Sequence, residues 1–140
     1  MKSTIISLQI CTGHRAPMQM KSAARAIENR GLEGDRHARA NGSRQVLLMD
    51  EETLKKFQLA PGVVKENVTT RGLNLYALAK GTRLKMGDAL FEITKACEPC
   101  ERMDEIRAGL RAELVGQRGM LVRVLKGGAV RVGDAIEIVK

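Results

Sequence analysis

Short runs of apolar and β-branched residues recur along the chain and predict strands. Such runs cover residues 4–11 and 135–139, near the two ends of the sequence, and residues 44–49 and 63–70 between them. Apolar runs of this length and composition are typical of strands in a small β protein. A Pro-Gly pair at Pro61 and Gly62 predicts a turn before the third of these strands in chain order.

Two stretches have helical features instead. Asp50 is a good N-cap for a short helix ending near Phe57, with two glutamates in its first turn. Residues 101–115 carry apolar side chains at three- and four-residue steps, as an amphipathic helix requires. Those side chains are Met103, Ile106, Leu110 and Leu114. Gly109 is expected to split this helix in two.

Two segments of the chain are similar in sequence, and their pattern indicates the fold class. Residues 84–90 resemble residues 130–136, and in both an apolar run is followed by a Gly-Asp pair and a second apolar run. Gly and Asp tolerate turn dihedrals, so each segment predicts a hairpin in which the Asp stabilises the turn. Two such units and many short strands predict a closed or nearly closed β-barrel. We therefore expect one mostly β, barrel-like domain over residues 1–140, with a few short helices.

The composition fits a single domain of 140 residues. Hydrophobic residues make up 44% of the chain, but no apolar run reaches the roughly 18–20 residues needed to cross a bilayer. The first residues are too polar for a signal peptide. Three cysteines without an export signal favour reduced thiols. We expect a cytoplasmic protein with no membrane association.

The charge of the chain points to an anionic partner. A net charge of +8 suits a phosphate-bearing cofactor, a nucleic acid or an acidic protein. Aromatic residues are only 2% of the chain, and nucleic-acid binders commonly stack bases on aromatic rings, so nucleic acid is the less favoured partner. A solvated basic surface is the alternative without a function.

Cys100 is the first candidate for chemistry. Pro99 ends the apolar run before it, and a predicted helix follows, so Cys100 lies at a strand-to-helix junction. Unpaired backbone N–H groups at such a junction favour a thiolate, the form that attacks electrophiles and binds metals. The positive charge of Arg102 would help to stabilise the Cys100 thiolate, whereas the negative charges of Glu98 and Glu101 would oppose its formation. A buried thiol capping the helix is the structural alternative.

Cys97 and Cys100 also form a Cys-x-x-Cys pair. The pair supplies half a zinc site at most, and His14 and His37 lack ligand spacing to complete it. A redox pair would need a βαβ setting, which the hairpin-rich pattern does not predict. Cys97 is better explained as a packed residue continuing a strand, and Cys11 as a small core residue.

Two polar segments are candidates for ligand binding. The glycine-flanked residues 31–37 predict a loop that presents Arg36 and His37 to an anion, with Asp35 orienting one of them. On a strand over residues 63–70 and beyond, alternation would place three further polar residues on one face, as the wall of a cleft. Those residues are Asn67, Thr69 and Arg71. An exposed turn and a solvated strand face are the alternatives.

The motifs resemble a known family when they are taken together. Six motifs follow one another along the chain. The first three are Gly-Leu-x-Gly-Asp-Arg-His at 31–37, Arg-Gln-Val at 44–46 and Glu-Asn-Val-Thr-Thr-x-Gly-Leu at 66–73. The other three are Gly-Asp at 87–88, Glu-Pro-Cys at 98–100 and a Gly-Gly to Gly-Asp stretch at 127–134. This order resembles a MOSC domain, the C-terminal domain of molybdenum-cofactor sulfurases, which also occurs alone in bacteria. The resemblance runs over residues 5–138.

The resemblance implies a barrel-like β fold with one cysteine at its site. In the family that cysteine follows a proline, which makes Cys100 the implied ligand to molybdenum or carrier of sulfur. Soft sulfur suits both roles. The side chains expected to position the pterin and the phosphate of molybdenum cofactor are Arg36, His37, Asn67, Thr69 and Arg71.

The resemblance leaves two activities open. The chain would be either a molybdenum-cofactor-dependent oxidoreductase that reduces N-hydroxylated compounds, or a sulfur carrier or transferase. The pyridoxal-phosphate domain of the sulfurases is not expected within 140 residues, so sulfur or electrons would come from a separate donor protein. The alternatives are a small basic β-barrel that binds nucleic acid through its surface, with incidental cysteines, and a MOSC scaffold that has lost catalysis.

Overall fold

Strands dominate the computed structural model, which describes residues 3–139. The strands are β1 (Thr4–Ile10), β2 (Gln19–Lys21), β3 (Ala23–Ile27), β4 (Gly31–Leu32), β5 (Val46–Asp50), β6 (Val68–Arg71), β7 (Arg83–Met86), β8 (Ala89–Ala96), β9 (Met120–Lys126), β10 (Gly128–Arg131) and β11 (Ile136–Val139). The helices are short: α1 (Glu51–Lys56), α2 (Arg102–Ile106), α3 (Leu110–Glu113) and one 3₁₀ turn at Leu75–Ala77. The predicted mostly β fold with a few short helices is confirmed.

The strands form one large sheet and one small sheet. The large sheet has the order β11-β7-β8-β9-β5-β6-β1-β2, and the small one has the order β10-β3-β4. Among the described pairings only β5–β6 is parallel. The large sheet is not closed by a full ladder. A single antiparallel bridge between Thr4 and Ala135 joins β1 to the segment before β11, so the predicted closed or nearly closed barrel is not formed by a continuous ladder of the described strands.

The first predicted hairpin is confirmed and the second is wrong. β7 and β8 pair with each other around Gly87 and Asp88. Around Gly133, in contrast, β10 pairs with β3 and β11 pairs with β7. The turn bonds to β1, since Gly133 N–H donates to the Ile5 carbonyl and Ile5 N–H donates to the Asp134 carbonyl. The chain thus passes from one sheet to the other. Asp134 still stabilises the turn by accepting the Arg131 N–H at 2.8 Å.

The predicted helix starts and breaks are confirmed. The Asp50 carboxylate accepts the Thr53 N–H at 3.1 Å and caps α1. Gly109, with φ of 86°, separates α2 from α3. The predicted strand over residues 63–70 is too long, because residues 61–64 form turns and Lys65 has a left-handed φ of 70°. Extended pairing therefore begins only at Val68.

Buried side chains form two main groups. The larger group includes the buried side chains of Phe91, Ile5, Leu8 and Leu84 from the large sheet. The smaller one packs α1, α2 and α3 together through Met49, Leu54, Val64, Met103, Leu110 and Leu114. Each such side chain contributes roughly 1.5–3 kcal/mol by leaving water. This second group anchors the segment that follows Cys100.

None of the helices formed by residues 3–139 has the length and apolar character required to cross a membrane.

Candidate functional site

A cavity of about 230 Å³ opens where four segments of the chain meet. They are the loop after β1, the loop after β4, the turn before β6, and the segment from the end of β8 into α2, and residues of β5 and of the start of β9 complete the lining. Six cationic side chains line the cavity: Arg15, Arg36, Arg44, Lys65, Arg102 and Arg118. No described lining residue is acidic. A concave site with one sign of charge concentrates ligands of the other sign, so this cavity favours anions.

All three cysteines line this cavity, but they differ in exposure. Cys100 is exposed, and its carbonyl accepts the Met103 N–H at 2.9 Å as the chain enters α2. Cys97 is buried against Leu47 and Leu121, one residue beyond the end of β8, as a packed residue should be. Cys11 is buried at the end of β1. Only the Cys100 sulfur is freely accessible among the three.

The predicted strand-to-helix junction at Cys100 is confirmed. The helix that follows is only five residues long, so its terminus offers little aligned dipole. The positive surroundings of Cys100 come from side chains of the cavity instead. Arg102, two residues further along the chain, is one of them.

Arg118 stands out among the cationic side chains because it is buried. It is 5% exposed, and its Nη2 donates to the Val64 carbonyl at 2.6 Å. Its Nε and Nη1 are also buried, yet neither finds a hydrogen-bond partner within residues 3–139. Leaving a buried charged donor unsatisfied costs several kcal/mol in general. The charge of Arg118 acts on the buried Glu66 carboxylate, whose Oε1 also lacks a hydrogen-bond partner within residues 3–139.

Asp35 and Asn67 hold the walls of the cavity in place. The buried Asp35 carboxylate accepts the Cys11 N–H at 2.7 Å, the Asn67 amide at 3.0 Å and the His37 N–H at 3.0 Å. Asn67 also accepts the Leu47 N–H at 3.0 Å. Burial of Asp35 opposes its ionisation, but hydrogen bonds from the His37 side chain and from these N–H groups outweigh that effect and lower its pKa.

His14 lies between two of the arginines. Its Nδ1 is 3.1 Å from Arg36 Nη1 and 3.4 Å from Arg102 Nη2. A guanidinium can only donate, so Nδ1 is the acceptor and a neutral ring carries its proton on Nε2. Desolvation, followed by the charges of Arg102, Arg36 and Arg15, lowers the His14 pKa, which keeps the ring neutral.

The structure brings four of the predicted site residues together and leaves two elsewhere. Cys100, Arg36, His37 and Asn67 all line the cavity. Thr69 is buried in β6, where its hydroxyl donates to Glu66 at 2.9 Å. Arg71 is exposed and forms a bidentate pair with Glu51 at 2.6 and 2.9 Å.

The predicted cofactor-binding role of Thr69 and Arg71 does not fit this placement. Asn67 precedes β6 and turns its amide into the walls of the cavity, whereas Thr69 and Arg71 follow β6 away from it. The shared face expected for the three residues required a strand that started earlier than Val68.

Within residues 3–139, no group of three or more His, Cys, Asp or Glu side chains is arranged to hold a metal ion. A protein-only zinc site at Cys97 and Cys100 therefore has no further ligands there. Any metal at Cys100 would have to bring most of its own ligands.

The comparison with protein families identifies the fold family. The profile described as MOSC domain matches residues 34–137, well over half of the chain. The chain belongs to the MOSC domain family. The matched range contains Cys100 and most of the cavity wall, and of the lining residues it leaves out Cys11, Arg15 and Ala16.

Solved structures show the same MOSC fold over nearly the whole chain. The YuaD protein from Bacillus subtilis is 20% identical with a TM-score of 0.81, over 99% of this chain and 96% of that one. YiiM from Geobacillus stearothermophilus is 16% identical with a TM-score of 0.82, over 99% and 75%. YiiM from Escherichia coli is 21% identical with a TM-score of 0.74, over 100% and 70%. No curated protein matches the chain.

Sequence reasoning missed most of the cations that make this MOSC cavity basic. Arg15, Lys65 and Arg118 were not singled out, Arg44 entered only as part of a family motif, and Arg102 was considered only as a neighbour of Cys100. In a chain of net charge +8, single arginines give no signal in the sequence. The left-handed φ of 59° at Arg15 and 70° at Lys65 could not be expected for these residue types either.

Proposed function

We propose that this MOSC domain binds molybdenum cofactor in the basic cavity, with the Cys100 sulfur as the protein's ligand to molybdenum. The observation that carries the proposal is the lining of the cavity, which has six cationic side chains and no described acidic one and also holds an exposed thiol. An anionic group and a soft metal centre on one ligand would match both features.

The size and charge of the site support this ligand. Ligand pockets usually measure about 300–1,000 Å³. The 230 Å³ cavity continues into a 410 Å³ cavity that shares Arg36, His37 and Arg44, and into a 190 Å³ cavity that shares Arg15, Lys65, Arg102 and Met103. Together they give a pterin room and surround its phosphate with donors.

Each part of the site has a separate task in this proposal. Arg118 and Lys65 bind the phosphate at the base of the cavity, and Arg36 and His37 form its opposite wall. Asp35 and Asn67 keep the two walls at a fixed distance through their hydrogen bonds. Cys100 presents its sulfur at the opening.

When bound, the cofactor supplies a metal centre for two-electron redox or sulfur chemistry. The reaction is then reduction of an N-hydroxylated compound or transfer of sulfur. A separate electron or sulfur donor protein is the proposed partner, and the exposure of Cys100 gives such a donor access.

Anaerobic loading with the cofactor tests the proposal. Wild type, Cys100→Ser, Arg118→Gln and Cys97→Ser would be mixed with the cofactor, separated by gel filtration and assayed for molybdenum, with X-ray absorption reporting Mo–S bonds. Arg118→Gln should weaken binding by about 10–100-fold, since a charge-assisted hydrogen bond contributes about 1.5–3 kcal/mol. Cys100→Ser should remove one Mo–S bond and retain the pterin, and Cys97→Ser should match wild type.

Two results would overturn the proposal. One is a wild-type protein that retains no molybdenum. The other is Cys100→Ser with the same Mo–S coordination as wild type.

A further inference from the structure

We propose that Arg36 and Arg102, held by His14, form a subsite for a small dianionic oxyanion beside Cys100, and that thiosulfate bound there gives its outer sulfur to the Cys100 thiolate. The inference rests on the proposed role of Cys100 as the reactive sulfur of the cavity. It adds an inorganic sulfur donor that needs no donor protein.

The geometry of the subsite comes from three separate segments. His14 follows β1, Arg36 follows β4 and Arg102 begins α2. Arg36 Nη1 and Arg102 Nη2 both lie within 3.4 Å of the same His14 ring nitrogen. The two guanidinium groups therefore converge, and one oxyanion can reach donors from both.

The two guanidinium groups carry charge that is not compensated. Neither Arg36 nor Arg102 is within 4.0 Å of a carboxylate oxygen of residues 3–139, whereas the neighbouring Arg15 pairs with Glu105 at 2.6 Å. Each guanidinium has five N–H donors, and only one is directed at His14. The neutral imidazole accepts hydrogen bonds without adding or cancelling charge, which leaves two positive charges facing a single site.

Acidic neighbours do not cancel this charge within the cavity. Glu98 and Glu101 flank Cys100 in the sequence, but neither lines the cavity. Asp35 is buried behind the wall, where its carboxylate is occupied by three N–H donors. The buried Glu66 carboxylate interacts with the charge of Arg118, which is 5% exposed, and does not line the cavity.

Thiosulfate suits this subsite because its two ends differ. Its three oxygens accept hydrogen bonds from guanidinium groups, and its outer sulfur is the electrophile that a thiolate attacks. Cys100 lies two residues before Arg102 and lines the same cavity. An oxyanion held by the arginines would thus lie close to the thiol.

The transfer balances without any further reagent. The Cys100 thiolate attacks the outer sulfur, and a new S–S bond forms to Cys100. The S–S bond of thiosulfate breaks, and its electron pair leaves on sulfite. One thiolate and one dianion become one persulfide anion and one sulfite dianion. Arg36 and Arg102 stabilise the departing sulfite through the same donors.

A single-turnover reaction tests the inference on protein without cofactor. The chain would be incubated with thiosulfate under anaerobic conditions, and sulfite release and intact mass would be measured. Wild type should gain one sulfur atom, mapped to Cys100, and release one sulfite per chain. Cys100→Ser should do neither. Arg36→Gln and Arg102→Gln should each weaken the apparent affinity for thiosulfate by about tenfold, as loss of one charge-assisted hydrogen bond predicts.

Two controls separate binding from folding and from thiol reactivity. Arg25→Gln removes an exposed arginine of β3 that does not line the cavity, and it should behave as wild type. Alkylation of Cys100 by the neutral reagent iodoacetamide should proceed at a similar rate in wild type and Arg36→Gln, and any slowing in Arg102→Gln measures the loss of thiolate that must be separated from its loss of thiosulfate affinity. Arg36→Lys and Arg102→Lys should restore part of the affinity, because they retain the charge.

The outcomes distinguish this inference from the proposed function. If iodoacetamide labels Cys100 but thiosulfate neither adds sulfur nor releases sulfite, the inference is wrong, even where the same preparation loads molybdenum cofactor. If sulfate competes with a labelled anion at Arg36 but no sulfur is transferred, the transfer step is wrong. If persulfide forms on a protein that retains no molybdenum, the cofactor proposal fails and this inference stands.

Discussion

At the scale of single residues, two arginines show how the same side chain acquires different roles. Arg71 is exposed and satisfied by a bidentate carboxylate, whereas Arg118 is buried with two nitrogens unpartnered. A paired surface arginine contributes a little to stability. A buried unpaired one lowers stability unless a ligand completes it. The contrast leads us to expect that substitution of Arg71 affects stability, whereas Arg118 is the residue whose substitution tests the binding proposal.

Arg71→Gln should therefore affect stability and leave binding intact. The hydrogen bond from Arg71 is the main reason that the Glu51 pKa falls from 4.5 to about 2. Because the folded-state pKa is lowered, this stabilisation is present above about pH 4.5 and is lost as the pH falls towards 2. Urea unfolding at pH 7 should show a small loss of stability, because solvent screens this exposed pair. The difference from wild type should shrink at pH 3.

Binding to the cavity is the second measurement on that variant. Arg71→Gln should load molybdenum cofactor as wild type does. If Arg71→Gln lost as much affinity for the cofactor as Arg118→Gln, Arg71 would have to be counted as a binding residue.

At the scale of elements, the position of Cys100 depends on how the segment after β8 is fixed. Cys97 N–H donates to the Gly119 carbonyl at 3.0 Å, which ties this segment to the start of β9. Gly119 has φ of 96°, and a Cβ placed on it would lie 2.2 Å from the Leu48 carbonyl oxygen. Only glycine allows β5 and the residue before β9 to approach so closely.

Gly119→Ala should destabilise the chain more than Gly133→Ala, which is a matched control. Gly133 has φ of 97°, yet a Cβ there would meet nothing within 4 Å. Gly133→Ala should cost only the left-handed backbone strain, about 1–2 kcal/mol. Gly119→Ala should cost about 1–3 kcal/mol more from overpacking. Urea unfolding of both variants measures the difference, and equal losses would show that the contact with Leu48 does not constrain the structure.

At the scale of the whole molecule, the net charge of +8 and the basic cavities act together. The three connected cavities share arginines, so positive potential extends beyond the site itself. Such a field accelerates association of anions and is screened by salt.

Association of thiosulfate or of the cofactor should therefore slow as ionic strength rises. Between about 0.01 and 1 M salt the Debye length falls from about 30 to about 3 Å, so a decrease on the order of tenfold is expected. Stopped-flow measurements on wild type would record it, with iodoacetamide labelling as the uncharged control. A rate independent of salt would mean that only short-range contacts attract the ligand.

Features that depend on neighbouring residues could be predicted from the sequence. The Asp50 cap, the split at Gly109 and the separation of Cys97 from Cys100 all follow from neighbouring residues, and the structure confirms them. The second hairpin failed because β10 and β11 choose distant partners, which no local pattern specifies. Asn67 does not share a face with Thr69 and Arg71 because it lies before β6, in the segment that the left-handed Lys65 turns away from extended geometry.

The bridge between Thr4 and Ala135 has a consequence for the order of folding. It joins positions separated by almost the entire described sequence, and the entropy of closing so long a loop is lost before the contact stabilises anything. Contacts of this kind raise contact order and slow folding. The hairpin of β7 and β8 is local in the sequence, whereas Thr4 and Ala135 are brought together through the strands between them. We therefore expect the contact between Thr4 and Ala135 to form later than this hairpin.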